Sequence, residues 1–288
     1  MTLSPDQVAV RRTRVGSSDM GALLGVDPHW TALDVFRERV HGQQREETPE
    51  MVWGRYQEGA GLTYFQDSTG LRIVRPESTF VHPAADYLCA TPDALAYDGD
   101  ANVGDLKEVK NVGRWMLDGW EPEEEAIPLR VRAQVQIALD VTVALGIAST
   151  KGEVIAILAG EPPAFVPVDH DPDGCGVLRQ LAEKFVRDCL IPGKEPKGWE
   201  KDRSALDYVK RRFKEHDESM KLPTAEAVTR ARQLGVAKRR LARWKAVAEE
   251  AQARLCAEIG EAAGIQGVCT WKANKKGTRT LLPWNKEW

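Results

Sequence analysis

Three residues in the segment TPDALAYDGDANVGDLKEVK are of types that do chemistry together: Asp93, Glu108 and Lys110. Asp93 ends one run with strand character, and Glu108-Val109-Lys110 lies inside the next. Side chains alternate along a strand, so Glu108 and Lys110 share one face while Val109 points into the opposite, packed face. If the two runs pair as a hairpin, Asp93 meets Glu108, and two carboxylates share a site with one lysine. Two like charges held together are costly unless a cation lies between them, and hard oxygen ligands favour Mg²⁺, with Mn²⁺ as a substitute. An ion so held activates water, orients a phosphodiester and stabilises its pentacovalent charge; a second ion would share the attacking and leaving oxygens. Lys110 is placed to bind the phosphate or position the water, and the backbone carbonyl of Val109 is a further candidate ligand. A Glu-x-Lys strand by itself is most often an exposed charged pair. The Pro-Asp at this distance, in hairpin context, raises it above that.

The elements that must position these residues are legible from caps and periodicity. Ser17 or Ser18 caps a short helix through Leu24, stopped by Gly25, and Thr31 caps a second to about Val40. Thr48 followed by Pro49 opens a longer helix that runs to about Asp67 and closes at Gly70. Residues 71–74, 78–82, 86–97 and 103–110 are short alternating or β-branched runs and predict a small sheet. Pro128 starts another helix, LRVRAQVQIALDVTVAL, and EVIAILAG supplies a further strand. Residues 174–191 predict an amphipathic helix with Val177, Leu181, Phe185 and Leu190 on its apolar side. This order implies an α+β core over residues 1–192. Composition shifts to Pro, Gly, Lys and Glu around 191–202, so 193–288 reads as a mainly helical C-terminal extension. It contains a long helix from Pro223 to about Glu261, basic from Arg230 to Lys245, and ends in a hairpin with Trp271 and Leu281/Leu282 on either side of a Lys/Gly turn.

Bulk properties narrow the function. The chain has 288 residues, 42% hydrophobic and 29% charged, enough for one substantial core plus an extension. No stretch reaches the roughly 18 apolar residues of a membrane span, and the N-terminus lacks a secretory pattern, so a cytoplasmic location is expected. The five cysteines are scattered, with no CxxC pair and no Cys/His cluster along the chain. They read as reduced thiols and argue against a zinc site or an iron–sulfur nuclease. A net charge of -3 gives no global nucleic-acid signature, so DNA contact would rest on local basic surface or on metal-neutralised carboxylates.

The flanking motifs bring in a resemblance. RVGSSDMGALLGVDPHWTALDVFRERV, MVWGRYQEGAGLTYF, ATPDAL, LKEVK and RAQVQIAL occur in the order and spacing of the YqaJ-like viral recombinase family, relatives of phage lambda exonuclease. The similarity covers about residues 11–190, and the tail from Gly260 to Pro283 resembles the end of longer phage-encoded members. It implies a PD-(D/E)xK, restriction-endonuclease-like core: a small mixed sheet flanked by helices. In that pattern Asp93 and Glu108 match the metal-binding carboxylates and Lys110 the catalytic lysine. Glu58 matches a helical acidic residue that supports the metal, where a lone helix glutamate would otherwise read as solvated. Gln134 matches a glutamine facing the active site; Gln136, two residues on, is turned away and reads as structural. Ser18 matches a phosphate-contacting position at a helix N-terminus, where a simple N-cap is the plainer reading. One of Arg11, Arg12 and Arg14 is expected to reach a DNA phosphate. Val131 stands where relatives often carry tyrosine. Asp105 and Lys107 make the Glu-x-Lys strand more polar than a buried strand usually is.

The implied activity is Mg²⁺-dependent 5′ to 3′ digestion of linear double-stranded DNA, leaving 3′ single strands for phage-type recombination. The implied partners are duplex DNA ends, a phage single-strand annealing protein or recombinase, and copies of the chain itself as a trimer. An endonuclease or repair nuclease on the same fold, or a catalytically silent DNA-binding module, stands as the alternative. The basic helix around Lys238, Arg239, Arg240, Arg243 and Trp244 would meet DNA, a partner or the core.

Overall fold

Polar caps start several of the helices in the computed structural model, which describes residues 4–43, 47–113, 120, 127–158, 161–202, 204–215, 218–273 and 279–283. The Ser4 hydroxyl and the Gln7 side chain cap each other's backbone at the head of α1 (Pro5–Arg11). A 3₁₀ turn at Ser17–Asp19 leads into the short α2 (Met20–Leu23), and Gly25 follows at φ +70. Thr31 and Asp34 cap α3 (Ala32–His41) reciprocally, and Thr48 caps α4 (Pro49–Thr69). Gly42 and Gly70 close these two helices in the left-handed conformation, which a side chain would resist.

The runs between 71 and 112 do not form one sheet. β2 (Arg72–Val74), β5 (Ala94–Tyr97), β6 (Gly104–Val112), β7 (Ala148–Leu158) and β8 (Ala164–Asp169) form a five-stranded sheet in the order β2-β5-β6-β7-β8. β3 (Phe80–His82) and β4 (Ala85–Ala90) pair instead with β1 (Val15–Gly16), in the order β1-β4-β3. Periodicity does not announce β1, which is two residues long, or β8, which carries Pro167. Pro167 is tolerated because β8 is an edge strand, where a missing N–H costs no ladder bond on the outer side.

β6 is the middle strand, antiparallel to β5 and parallel to β7. The parallel pair is joined through α5 (Leu129–Ala144), which packs Val131, Val135, Ile137, Leu139 and Val141 into the main core with Leu95, Leu106, Val154 and Ala156. On the other face α4 sets Leu62 and Phe65 against Ala94, Ala96, Val109, Ile155 and Ile157. A Cβ built on Gly61 would lie 3.1 Å from Ile157 Cδ1 and 3.2 Å from Val109 Cγ1, so this glycine lets α4 settle onto the sheet. The polar residues of β6 are accommodated. Lys107 pairs with Glu153 at 3.1 Å and lies over the Phe65 ring, while Asp105 accepts a bond from Ser149.

α6 (Pro172–Phe185) continues as a single π turn, Val186–Leu190. Leu178, Leu181, Ala182 and Phe185 face the core, whereas Val177 is 66% exposed, so its expected place on the apolar side is corrected by one position. Residues to Glu215 belong to the same compact unit as this core, past the composition shift near 192. The reason is packing: Trp199, ahead of α7 (Ala205–Arg212), and Tyr208 within it join the core with their rings edge to face, and Arg211 reaches Asp34.

A second unit spans His216–Trp288. Thr224 caps α8 (Ala225–Ile259), most of which is exposed. β9 (Gly264–Ile265), β10 (Cys269–Ala273) and β11 (Arg279–Pro283) form an antiparallel sheet in which Trp271 stands opposite Leu281. The Arg279 guanidinium stacks on Trp271 at 3.6 Å and donates to the carbonyls of Trp271, Gly260 and Ala262. The Lys/Gly turn expected between the strands lies outside the described residues.

Candidate active site

Asp93 immediately precedes β5, whose register with β6 places Ala94 opposite Lys107 and so brings Asp93 level with Glu108. The Asp93 carboxylate accepts the Val109 N–H through Oδ2 at 2.8 Å. That bond fixes Asp93 beside the middle strand. Glu108 and Lys110 lie on the α5 face of the sheet, and Val109 packs on the α4 face, as alternation requires.

Gln134 descends from α5 to close the cluster. Its Nε2 donates to Glu108 Oε1 at 2.6 Å, and its Oε1 accepts from Lys110 Nζ at 3.0 Å. Lys110 Nζ also donates to Glu108 Oε1 at 2.7 Å. Both donors converge on one Glu108 oxygen and leave Oε2 for coordination. Gln136, by contrast, ties α5 to the chain after β8: it donates to the Asp169 carbonyl at 2.7 Å and accepts from the Asp171 N–H at 2.9 Å.

Electrostatics at this point are strained. Burial, then the Glu108 carboxylate, push Asp93 up to about 8, with Glu58 adding to the rise against the relief from Lys110 and the Val109 N–H. Glu58 is buried on α4 and paired with Arg75. Arg75, in the turn just after β2, carries no motif signal in the sequence. Two buried carboxylates, one of them favouring its protonated form, are what a hard divalent ion would relieve. Asp93, Glu108 Oε2 and the Val109 carbonyl supply oxygen donors suited to Mg²⁺ or Mn²⁺, with Glu58 within electrostatic reach.

The basic N-terminal residues divide into different roles. Arg11 donates to Ser18 Oγ at 2.9 Å and lies 3.5 Å from Asp19. Arg14 donates to the carbonyls of Asp86 and Val10 at 2.7 and 2.9 Å, clasping this segment to β4. Arg12 is exposed. Beneath them Asp19 accepts the Gly16 N–H at 2.8 Å and pairs with the buried Arg39 at 2.5 Å. Burial would raise Asp19, but the Arg39 and Arg11 guanidinium groups overcome it and hold the carboxyl below its usual range. This buried pair, which no short motif marked, sets the turn on which Ser18 is presented. Gly21, just after that turn, lies against Arg130 of α5, so the turn sits beside the helix that carries Gln134.

Taken together, the mixed five-stranded sheet, the helices on its two faces and the carboxylate–lysine cluster at β5–β6 define a lambda-exonuclease-like nuclease fold. Two crystal structures of LHK-Exo, an alkaline exonuclease from Laribacter hongkongensis, share it: one in complex with dAMP at a TM-score of 0.53 and one at 0.51. Each is 15% identical and the match covers 73% of this chain and 97% of theirs. Residues 6–144 match the YqaJ-like viral recombinase domain, which bears out the resemblance over the span holding Ser18, Glu58, Asp93, Glu108, Lys110 and Gln134. No curated protein matches the sequence.

Proposed function

We propose that the chain is a metal-dependent deoxyribonuclease, a 5′ to 3′ exonuclease on linear double-stranded DNA that leaves 3′ single strands for recombination. The observation that carries this reading is the set Asp93, Glu108, Gln134 and Lys110 with the Val109 N–H, in which each polar side chain is held by a bond of 2.6–3.0 Å. The YqaJ-like span and the fold shared with an alkaline exonuclease support it.

Asp93, Glu108 and the Val109 carbonyl would hold Mg²⁺, with Mn²⁺ able to replace it. Bound there, the ion supplies Lewis-acid stabilisation of the phosphate charge and lowers the pKa of water. The protein's own part is positioning. Lys110 exchanges its bond to Glu108 for a phosphate oxygen or the attacking water, and Gln134 keeps the ammonium in place as it does so. Ser18, with Arg11 donating to it, and the exposed Arg12 are the groups offered to a DNA phosphate. Arg14 would have to leave two carbonyls first. A trimer of the chain around the duplex, and an annealing protein or recombinase receiving the 3′ strand, complete the proposal; a strictly monomeric mass on DNA would count against the trimer.

The test is Mg²⁺-dependent degradation of linear against covalently closed duplex, with either 5′ or 3′ label, for wild type and Lys110→Ala. Loss of linear DNA alone, from the 5′ label first and abolished by the substitution, is expected. Cutting of closed circles would move the reading to an endonuclease. No cutting of either would leave a DNA-binding module.

A further inference from the structure

Away from Asp93 and Glu108, a second cluster gathers around Asp140. This residue is on α5, six positions beyond Gln134, which places it about 9 Å further along the axis and on another side of the helix. Asp140, His170 and Cys175 each present one donor atom, and these atoms lie within 4.8 Å of one another. Asp140 and Cys175 are buried, and the His170 side chain is 10% exposed. Spacing along the chain hides the group. His170 follows β8 and Cys175 lies in the first turn of α6, but their partner carboxylate comes from α5.

The hydrogen bonding is incomplete in a way that points to a ligand. Arg179 donates to Asp140 Oδ1 at 2.6 Å, but the buried Asp140 Oδ2 and His170 Nε2 make no hydrogen bond. Burying such atoms unpaired is costly. His170 Nε2 stands 3.4 Å from Asp140 Oδ1 without forming a bond. His82 Nε2 lies 3.5 Å from Oδ2, and His82 Nδ1 accepts the Ala84 N–H. In the neutral ring the proton is then on Nε2, so His82 stands beside the carboxylate without bonding to it and is not itself a ligand. Cys175 Sγ meets only Gln136 oxygens, at 3.4 and 3.5 Å.

We propose that Asp140, His170 and Cys175 form a second metal site, distinct from the nuclease carboxylates, for a borderline divalent ion such as Zn²⁺. Carboxylate, imidazole and thiolate are the donors that ion prefers, and Arg179 on the other carboxylate oxygen is the kind of outer support such ligands receive. Bond lengths of about 2.0–2.3 Å put tetrahedral donors roughly 3.3–3.8 Å apart. The cluster therefore needs at most about 1–1.5 Å of side-chain closure, within reach of rotation about side-chain bonds. A water molecule on the less buried His170 side takes the fourth position. The ion fastens α6 and the end of β8 to α5, the helix that carries Gln134. Binding releases the Cys175 thiol proton to solvent and involves no redox change.

The probe is Co²⁺ alone, added to the full chain carrying Asp93→Asn and Glu108→Gln so that the first site is silent. The expected result is one equivalent bound with a near-ultraviolet thiolate-to-cobalt absorption band. Cys175→Ala removes the band, and His170→Ala weakens binding at least about tenfold. Zn²⁺ raises the melting temperature by roughly 5–10 °C at 100-fold saturation, and not in His170→Ala. Absence of the band, or a band that survives Cys175→Ala in a folded protein, overturns the proposal. Should that variant not fold, X-ray absorption on the zinc-loaded chain decides: one sulfur in the shell supports the site, and none overturns it.

Discussion

Asp93 carries the pH dependence of the site. Its carboxyl is pushed from an ordinary value of 3.8 up to about 8, by burial first and by Glu108 second. Between those values the folded, metal-free chain keeps a proton that the unfolded chain has lost. Stability in EDTA therefore falls as pH rises from about 4 to 8 and levels off above. Urea unfolding of wild type and Asp93→Asn across pH 5.5–8.5 checks this. The slope is expected to flatten in the variant, and equal slopes would show that Asp93 is ionised throughout. Mg²⁺, needing the ionised form, is expected to bind more tightly as pH approaches 8. Asp19 behaves in the opposite sense. Its lowered carboxyl contributes stability that is present above its ordinary range and lost as acid protonates it. Asp19→Ala removes the buried partner of Arg39, whose side chain is 4% exposed, and leaves it only the more exposed Glu38 at 2.7 Å. A loss of about 3–5 kcal/mol in denaturant unfolding is expected, and Asp19→Asn, which still accepts the Gly16 N–H, is expected to lose less.

At the scale of elements, the site depends on how closely α4 and α5 press on the two faces of one sheet. α5 delivers Gln134 and α4 delivers Glu58, and neither helix contacts the carboxylates through loops. Gly61 sets the α4 distance, since even a methyl there meets Ile157 and Val109 at 3.1–3.2 Å. Gly61→Val adds two further carbons at this contact. It is expected to lower stability by about 1–3 kcal/mol through overpacking. It is also expected to reduce turnover more than Glu50→Gln, a control at the exposed start of the same helix. Thermal unfolding and the linear-duplex assay on both variants separate these effects.

On the scale of the whole molecule, the nuclease core is a unit of residues 1–215. A chain ended at 215 is expected to unfold in one transition and to retain metal-dependent cleavage of short duplexes. A chain ended at 192 loses Trp199 and Tyr208 from the core edge and is expected to melt several degrees lower and bind a hydrophobic dye. Equal melting of the two would place residues 193–215 outside the cooperative unit. No described helix is long and apolar enough to cross a membrane, and α8 is instead an exposed helix with apolar and basic residues interleaved.

The sequence by itself determined the caps of α3 and α4, the start of α5 at Pro128, the alternation of β6, and the pairing that brings Asp93 to Glu108. These are local: caps, turns and a period of two act within a few residues. It also carried the ordered motifs of the YqaJ-like span. Tertiary structure alone decided that β3 and β4 leave the main sheet for β1, that Pro167 falls on an edge, and that Val177 turns outward. It alone assembled Arg75 with Glu58, Arg39 with Asp19, and His170 and Cys175 with Asp140. Such pairs join residues far apart in the chain, and their meeting depends on which faces the core buries, so no spacing along the sequence records them.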